Sequence, residues 1–412
     1  MPADRFIPFR KQDVVTMCRD TVVSDTDSVS FQQFCDLLAS VIHFKYHDLL
    51  EQLKNDYAPF DPNIDTRVIQ RLNHAERQSA QKMFASNFAK VLDAANFEKI
   101  TEQDLQDALT EESLFKVRLE VEFEDFEQVV FYRRGESQKT ETLTTWWGLR
   151  KQTIHFTNYD RVAVFITFKD QAYFEQKQKT PLGYEPGATI IKLFQNVPKA
   201  DLEMLFPNSE VRMRPIDKVI IGASAVVGGA VVLVTKLGAS FLLLAALIAF
   251  WLGWRADDVE MTRQHFISLG IGLGVFGSFV FKEWSKFKNR KIKFMKALAD
   301  NLYFKNLDNN AGVFHTLVDA AEDEDFKEAL LAYAFLLNQP QGLSAQALDE
   351  KVEQWFAHQH DCVLDFEISD ALQKLETLRL VTLQGDIFHA LPLEQAKQVL
   401  DHYWDNVFNY NQ

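Results

Sequence analysis

Hydrophobic and polar positions change their spacing three times along this chain, and each change marks a different kind of element. From residue 5 to about 115, apolar residues recur every three or four positions. Within residues 31–54, Phe34, Leu37, Leu38, Val41, Leu49 and Leu53 share one face, which predicts an amphipathic helix. The turn APFDPN, with Pro59 and Pro62, closes it. A second helix is predicted over about Thr66–Ala94, and a third opens at Thr101, an N-cap with Asp104 close behind. Near Leu114 the period falls to two. VRLEVEF alternates apolar with charged residues, and QVVFYRRG, KTETLTTWW, KQTIHFTNYD, RVAVFITFKD and ATIIKLFQNV follow as short runs rich in Val, Ile, Thr and aromatics. Gly135, Gly148, Gly183 and Gly187 punctuate them. The pattern predicts a small, mainly antiparallel sheet with one short helix at Lys199–Leu205.

Between residues 219 and 282 alternation gives way to three continuous apolar runs, Val219–Thr235, Leu237–Trp254 and Phe266–Phe281. Each is at or just under the roughly 17–25 residues of a spanning helix. Only Lys236 and the stretch Arg255–Gln264 separate them. Trp251, Trp254 and Trp284 lie near run ends, where interfacial aromatics belong. Gly270-xxx-Gly274 has the small-xxx-small spacing of helices that pack closely in lipid. This block predicts transmembrane helices, a lipid bilayer as partner, and homo-oligomers packed through Gly-rich faces. Arg212, Arg214 and Lys218 precede it; Lys282, Lys286, Lys288, Arg290, Lys291, Lys293 and Lys296 follow. Positive flanks prefer the cytoplasmic side, so an even number of spans is favoured, with two or three crossings both open.

Past the block the helical period returns. Residues 286–304 form a basic helical stretch, and residues 312–337 read as a helical hairpin with an acidic corner. Residues 343–356 and 368–381 predict two helices, followed by a strand pair turning at Gly385, the order of a winged helix. The expected fold class is therefore an α+β integral membrane protein. Its divisions are a helical N-terminal region (1–113), a small β-rich domain (114–216), a transmembrane block of two or three helices (217–283), a helical region (284–340) and an acidic winged-helix-like domain (341–412).

Composition alters this picture in three places. A net charge of −14 argues against a general nucleic-acid binder. Residues 343–412 sharpen the point: Lys351, Lys374, Arg379 and Lys397 face twelve acidic side chains. Such a surface repels phosphate, so no nucleic acid is expected as partner, and the module is read as protein-binding or structural. Cys18, Cys35 and Cys362 lie far apart with no CxxC spacing, which excludes a cysteine zinc site of the usual kind and suggests no disulfide framework. The N-terminal segment MPADRFIPFRKQDVV has neither the basic stretch nor the apolar core of a secretory signal, so the first two hundred residues are expected to stay where they are made.

Candidate chemistry is sparse. His43 and His47 stand four apart with Glu51 one turn on, a row that can ligate zinc or another divalent ion from one helix face. Phe44 stands where HExxH needs its glutamate, so the zinc-protease mechanism is absent. His315, Asp319 and Asp323 repeat the four-residue step, with Glu322 and Glu324 beside them and Lys327 offering simple pairing on a solvated corner. Neither row has a nucleophile or base partner. No Gly-rich phosphate loop, GxSxG or Cys–His signature appears, so no cofactor and no reaction class are expected.

Five stretches carry a resemblance: FKYHDLLEQLKNDYAPFDP (44–62), VVFYRRG (129–135), NYDRV (158–162), IIKLFQNVPKADLEMLFPN (190–208) and the long run 288–333. In these the chain resembles the uncharacterised membrane family that includes transmembrane protein 143, known as domain of unknown function 3754. The resemblance implies a few spans near the middle of the chain, in the cytoplasmic membrane of a bacterium or a mitochondrial membrane of a eukaryote. It implies no activity, cofactor or catalytic residue. With the absence of an organised site, these readings predict a membrane-anchored scaffold or regulatory protein that binds other proteins on the cytoplasmic side. A metal-dependent membrane enzyme and an oligomeric pore or transporter are the alternatives.

Overall fold

A computed structural model describes residues 5–21, 28–67, 72–110, 118–145, 150–180, 183–212 and 263–408, with a few isolated positions between 223 and 252. Three helices open the chain: α1 (Lys11–Thr21), α2 (Ser28–Tyr57) and α3 (His74–Ala94). Strand β1 (Glu98–Lys99), helix α4 (Glu102–Thr110) and strands β2 (Arg118–Glu120), β3 (Phe126–Thr145) and β4 (Arg150–Phe168) follow. Next come α5 (Gln171–Gln176), β5 (Thr189–Pro198), β6 (Glu210–Arg212), α6 (Arg263–Lys305) and β7 (Asn306–Asn309). The chain then runs through α7 (Ala311–Leu337), α8 (Ala345–His360), α9 (Ile368–Thr377), β8 (Val381–Gln384), β9 (Ile387–Ala390) and α10 (Leu393–Asp405). These elements divide into two compact units. One is assembled from Met1–Glu111, Phe123–Leu202 and Lys305–Gln412, the other from Glu112–Glu122 and Glu203–Phe304.

In the first unit the helix starts are set by capping. Asn73 and Glu76 form a reciprocal capping box at α3, and Thr101 Oγ1 accepts the Asp104 N–H at 3.1 Å before α4. The sheet is antiparallel in the order β1-β3-β4-β5-β7. Every residue from Val162 to Phe168 in β4 is buried, as expected for a strand with a neighbour on each side and cover on both faces. The edge strand β7 is wholly polar apart from Leu307. Asn310 holds its end, donating its backbone N–H to Ile191 O at 2.6 Å and accepting the Ile191 N–H on its side chain at 3.1 Å.

Helix α7 is the spine of this unit. Eighteen of its residues, among them Val313, Phe314, Leu317 and the run Glu324–Leu336, are buried. It lies antiparallel to α2: Phe34 stacks on Tyr333 with centroids 4.3 Å apart, and Tyr57 meets Phe314 edge-on at 5.2 Å. Phe84, Phe88 and Phe165 complete an aromatic cluster in which α2, α3, β4 and α7 share one core. Residues 312–337 were expected to fold back as a hairpin. They form one uninterrupted helix, because no Gly or Pro interrupts residues 313–337 and Glu324, Asp325 and Glu328 are paired inside the protein. C-terminal to it, α8, α9 and the β8–β9 hairpin follow in the order expected. Gly385 turns the hairpin at φ 65°, and Leu343 and Phe388 exchange backbone hydrogen bonds of 3.1 and 2.8 Å beside it.

The second unit holds the antiparallel pair β2–β6 and the 43-residue helix α6. Here the expected fold class requires correction. The protein is an α+β fold with a small antiparallel sheet, but no helix among the described residues is long and apolar enough to cross a membrane. The integral-membrane architecture with central transmembrane helices is therefore not what the described chain builds. For the third apolar run the reason is visible. Residues 266–281 are sixteen, six of them Gly or Ser, and they sit inside a helix that continues without a break through Lys282, Lys286 and Lys288. A crossing needs about 20 predominantly apolar residues. The first two runs, Val219–Thr235 and Leu237–Trp254, lie outside the described residues except for isolated helical positions such as Ala223, Val227 and Ile248–Trp251.

Candidate functional site

Charged residues concentrate where the fold is most buried, midway along α7. The sequence AAEDEDFKEAL places Glu324, Asp325, Lys327 and Glu328 on faces that α1, α2 and α9 cover, and each is 2–3 % exposed. Burying ions costs several kcal/mol apiece unless they are paired and hydrogen-bonded. Every one of these four has a partner.

Glu324 and Lys327 form one pair, Nζ to Oε1 at 2.6 Å. They also grip the backbone near the start of the chain, at Ile7 and Phe9. Glu324 Oε2 accepts the Ile7 backbone N–H at 3.0 Å, while Lys327 donates to Ile7 O at 2.9 Å and Phe9 O at 3.3 Å. Phe9 stacks on Phe356 of α8, and Arg5 pairs with Glu367. The segment before α1 is thus fixed by backbone recognition as well as by its side chains.

The second pair is a cluster. Asp325, Glu328 and Asp370 bring one carboxylate oxygen each to within 4.8 Å of one another, the only such trio of potential metal ligands among the described residues. Lys374 of α9 stands at its centre, 2.7 Å from Asp325, 2.7 Å from Glu328 and 2.8 Å from Asp370. An ammonium supplies the positive charge that a cation would otherwise bring. Asn96 donates to the other Glu328 oxygen at 3.1 Å, and Lys45 lies 3.7 Å from Asp325. Burial pushes the Glu328 carboxyl up to about 7, against the pull of Lys374 and Asn96. Burial raises the Tyr46 hydroxyl as well, and Asp325 beside it adds to the effect. Lys374 is raised despite its burial, because Glu328 and Asp325 hold its proton.

The residues singled out from sequence lie along the outer edge of this network. His43 Nδ1 meets Glu322 Oε2 at 2.8 Å, and Lys11 reaches the other Glu322 oxygen at 3.4 Å. Glu51 pairs with Lys54 at 2.8 Å, which lowers its carboxyl. His43, His47, Glu51, His315 and Asp319 are exposed, and Asp323 is half-buried with its carboxyl raised by that burial. Because α2 and α7 run antiparallel, the two rows lie side by side. None of the six belongs to the trio that Lys374 fills. Asp325, Glu328, Asp370 and Lys374 were missed because acids in a run read as a solvated corner. The available signal was Lys374 itself, a lysine between Leu372 and Leu375 on the apolar face of its helix.

Elsewhere in the first unit, a cleft of about 560 Å³ opens between α3 and the ends of β3 and β4. Cys18 and Cys35 are buried, and burial raises both thiols, Cys35 to about 12.

Fold and site together define an α+β protein whose most elaborate polar chemistry is internal. The chain carries, over residues 159–312, an uncharacterised domain: that stretch matches the family model described as Protein of unknown function (DUF3754). The match takes in much of β4, β5, α6 and β7 and stops at the start of α7. No solved structure matches the chain.

Proposed function

We propose that this protein is a scaffold or regulatory protein, which acts by binding another protein through a surface rather than by turning over a substrate. The observation that supports this best is the outer face of α6. Phe281, Trp284, Ile292, Met295, Tyr303 and Phe304 are each more than half exposed there. Exposed Lys282, Lys286, Lys288, Lys293 and Lys296 are interleaved with them, and the Lys288 ammonium sits 4.3 Å over the Trp284 ring. Exposed apolar patches of this extent mark interaction surfaces. The interleaved lysines, in a chain of net charge −14, select a partner of opposite sign. The partner that fits is an acidic amphipathic helix of another protein, laying its apolar face on α6. The finer kinship with the family that includes transmembrane protein 143 belongs to the same proposal, supported by the overlap of the matched region with stretches 190–208 and 288–312.

The test is fluorescence titration of a synthetic acidic amphipathic helix, with a charge-reversed peptide as control. The reading expects saturable binding of the acidic peptide, lost in Trp284→Glu with Ile292→Glu and weakened by salt. Binding of neither peptide would sink it. A concentration-dependent dimer in light scattering, abolished by the same double variant, would instead assign the face to a second copy of the chain.

A further inference from the structure

The cleft beside α3 has no role in that reading, and its chemistry differs from everything around it. Its lining mixes Phe168 with polar side chains, Gln78, Gln81 and Lys82 on α3 and Gln128, Lys169 and Asp170 at the ends of the strands. At its base lies Arg77, whose Nη2 donates to Gly187 O at 2.9 Å and whose guanidinium rests on the Phe60 ring, 5.1 Å from the centroid. Those contacts leave Nε and Nη1 uncommitted, and among the described residues no carboxylate pairs with Arg77. The adjacent Glu76 is taken by the capping box of α3. The two acids that line the cleft are engaged as well: Glu127 pairs with Lys169, and Asp170 accepts the Tyr173 N–H at 3.0 Å as the cap of α5. Burial lowers the Arg77 proton affinity with no anion to offset it. Arg77, Lys82 and Lys169 against Glu127 and Asp170 leave a local excess of positive charge in a strongly acidic chain.

A half-buried guanidinium is costly to leave without an anion, and its planar fork matches an oxyanion in two parallel hydrogen bonds. The cleft volume lies within the few hundred to a thousand Å³ typical of small-molecule sites. The three glutamine amides, each both donor and acceptor, suit hydroxyl groups. We propose that this cleft binds a small, hydroxyl-bearing molecule through its phosphate or carboxylate, with the oxyanion on Arg77 and Lys82 and the hydroxyls on the glutamines.

Titration calorimetry on the full chain tests this with four probes: glucose 6-phosphate, inorganic pyrophosphate, citrate and glucose. The proposal expects saturable heat from at least one anionic probe and none from glucose. Phosphate probes alone would assign the oxyanion as phosphate, and citrate alone as carboxylate. Arg77→Gln should weaken the binding probe at least tenfold, and Lys82→Glu at least fivefold. Heat from no anionic probe, or equal affinity in Arg77→Gln, would overturn the site. If Arg77→Gln loses its helical circular dichroism, the exposed Lys82→Glu decides alone: unchanged affinity there would overturn the proposal.

Discussion

Helices α6 and α7 are neighbours in sequence and opposites in the way they treat their side chains. In α7 the charges are inside: Glu324, Asp325, Lys327 and Glu328 are all but inaccessible. In α6 the large apolar groups are outside, with Tyr303 77 % and Phe304 74 % exposed. The usual sorting of polar from apolar residues fails in both, for different reasons. In α7 the buried Glu324 and Lys327 neutralise each other, and Lys374 of α9 neutralises Asp325 and Glu328, so burial is tolerated once tertiary structure exists. In α6 Phe281, Trp284, Ile292 and Tyr303 stay more than half exposed, and the helix presents a surface suited to association. One inversion is completed within the fold, and the other is where the proposed partner would bind.

The sharpest way to break this contrast is to remove the cation at the centre of the α7 network. Lys374→Met leaves Asp325 and Glu328 buried and facing each other, and should cost about 3–5 kcal/mol of stability in urea denaturation. Next in size is the Glu324–Lys327 pair. Lys327→Met strands the Glu324 charge and should cost about 3 kcal/mol. Adding Glu324→Leu should recover much of that. A residual of about 1 kcal/mol should persist, because the Ile7 N–H and carbonyl lose their partners. A double variant no more stable than the single one would show that the pair does not act as a unit.

Acidity probes the same interior without changing its shape. The folded protein holds the Glu328 proton up to about pH 7, whereas the unfolded chain releases it near the ordinary value of 4.5. Glu328 therefore favours folding most below pH 4.5, and that contribution drains away as the pH rises to about 7. Relative to Glu328→Gln, the native protein should lose stability across that window, by up to a few kcal/mol. A pH-independent difference would mean that Lys374 keeps Glu328 ionised throughout. The smallest effect is expected on α6. Trp284→Glu should change stability by no more than about 0.5 kcal/mol, as exposed positions do, while weakening the peptide binding that the double variant with Ile292→Glu abolishes. A large loss of stability would place Trp284 in a contact within the fold.

The same contrast explains what could be read in advance. The antiparallel sheet was legible because RVAVFITF and ATIIKLF carry β-branched and aromatic residues in strand-length runs. The strands β1 and β7 were not, since Glu98–Lys99 and Asn306–Asn309 are short and polar and owe their form to neighbours in the sheet. Residues 345–390 announced their helices through Ser344 as a cap and Gly385 as a turn. The boundary expected between residues 283 and 284 came from a change in composition that the backbone of α6 ignores, since both halves are helix formers. The candidate rows on α2 and α7 were picked out by their spacing alone. The network that Lys374 completes escaped, because its members come from residues 46, 96, 325–328 and 370–374 and only the tertiary fold brings them together.

The grip of Glu324 and Lys327 on Ile7 also sets a schedule. During synthesis Ile7 emerges first, and the residues that hold its backbone follow more than three hundred positions later. At roughly 5–20 residues per second, the opening segment waits on the order of a quarter of a minute to a minute for its anchor. Helix α2 waits as long for Tyr333 and Phe314. The first unit therefore cannot close while its N-terminal part alone has been made: Phe31, Phe34 and Tyr57 stay without their principal cover until α7 leaves the ribosome. Molecular chaperones have that interval in which to act on this chain.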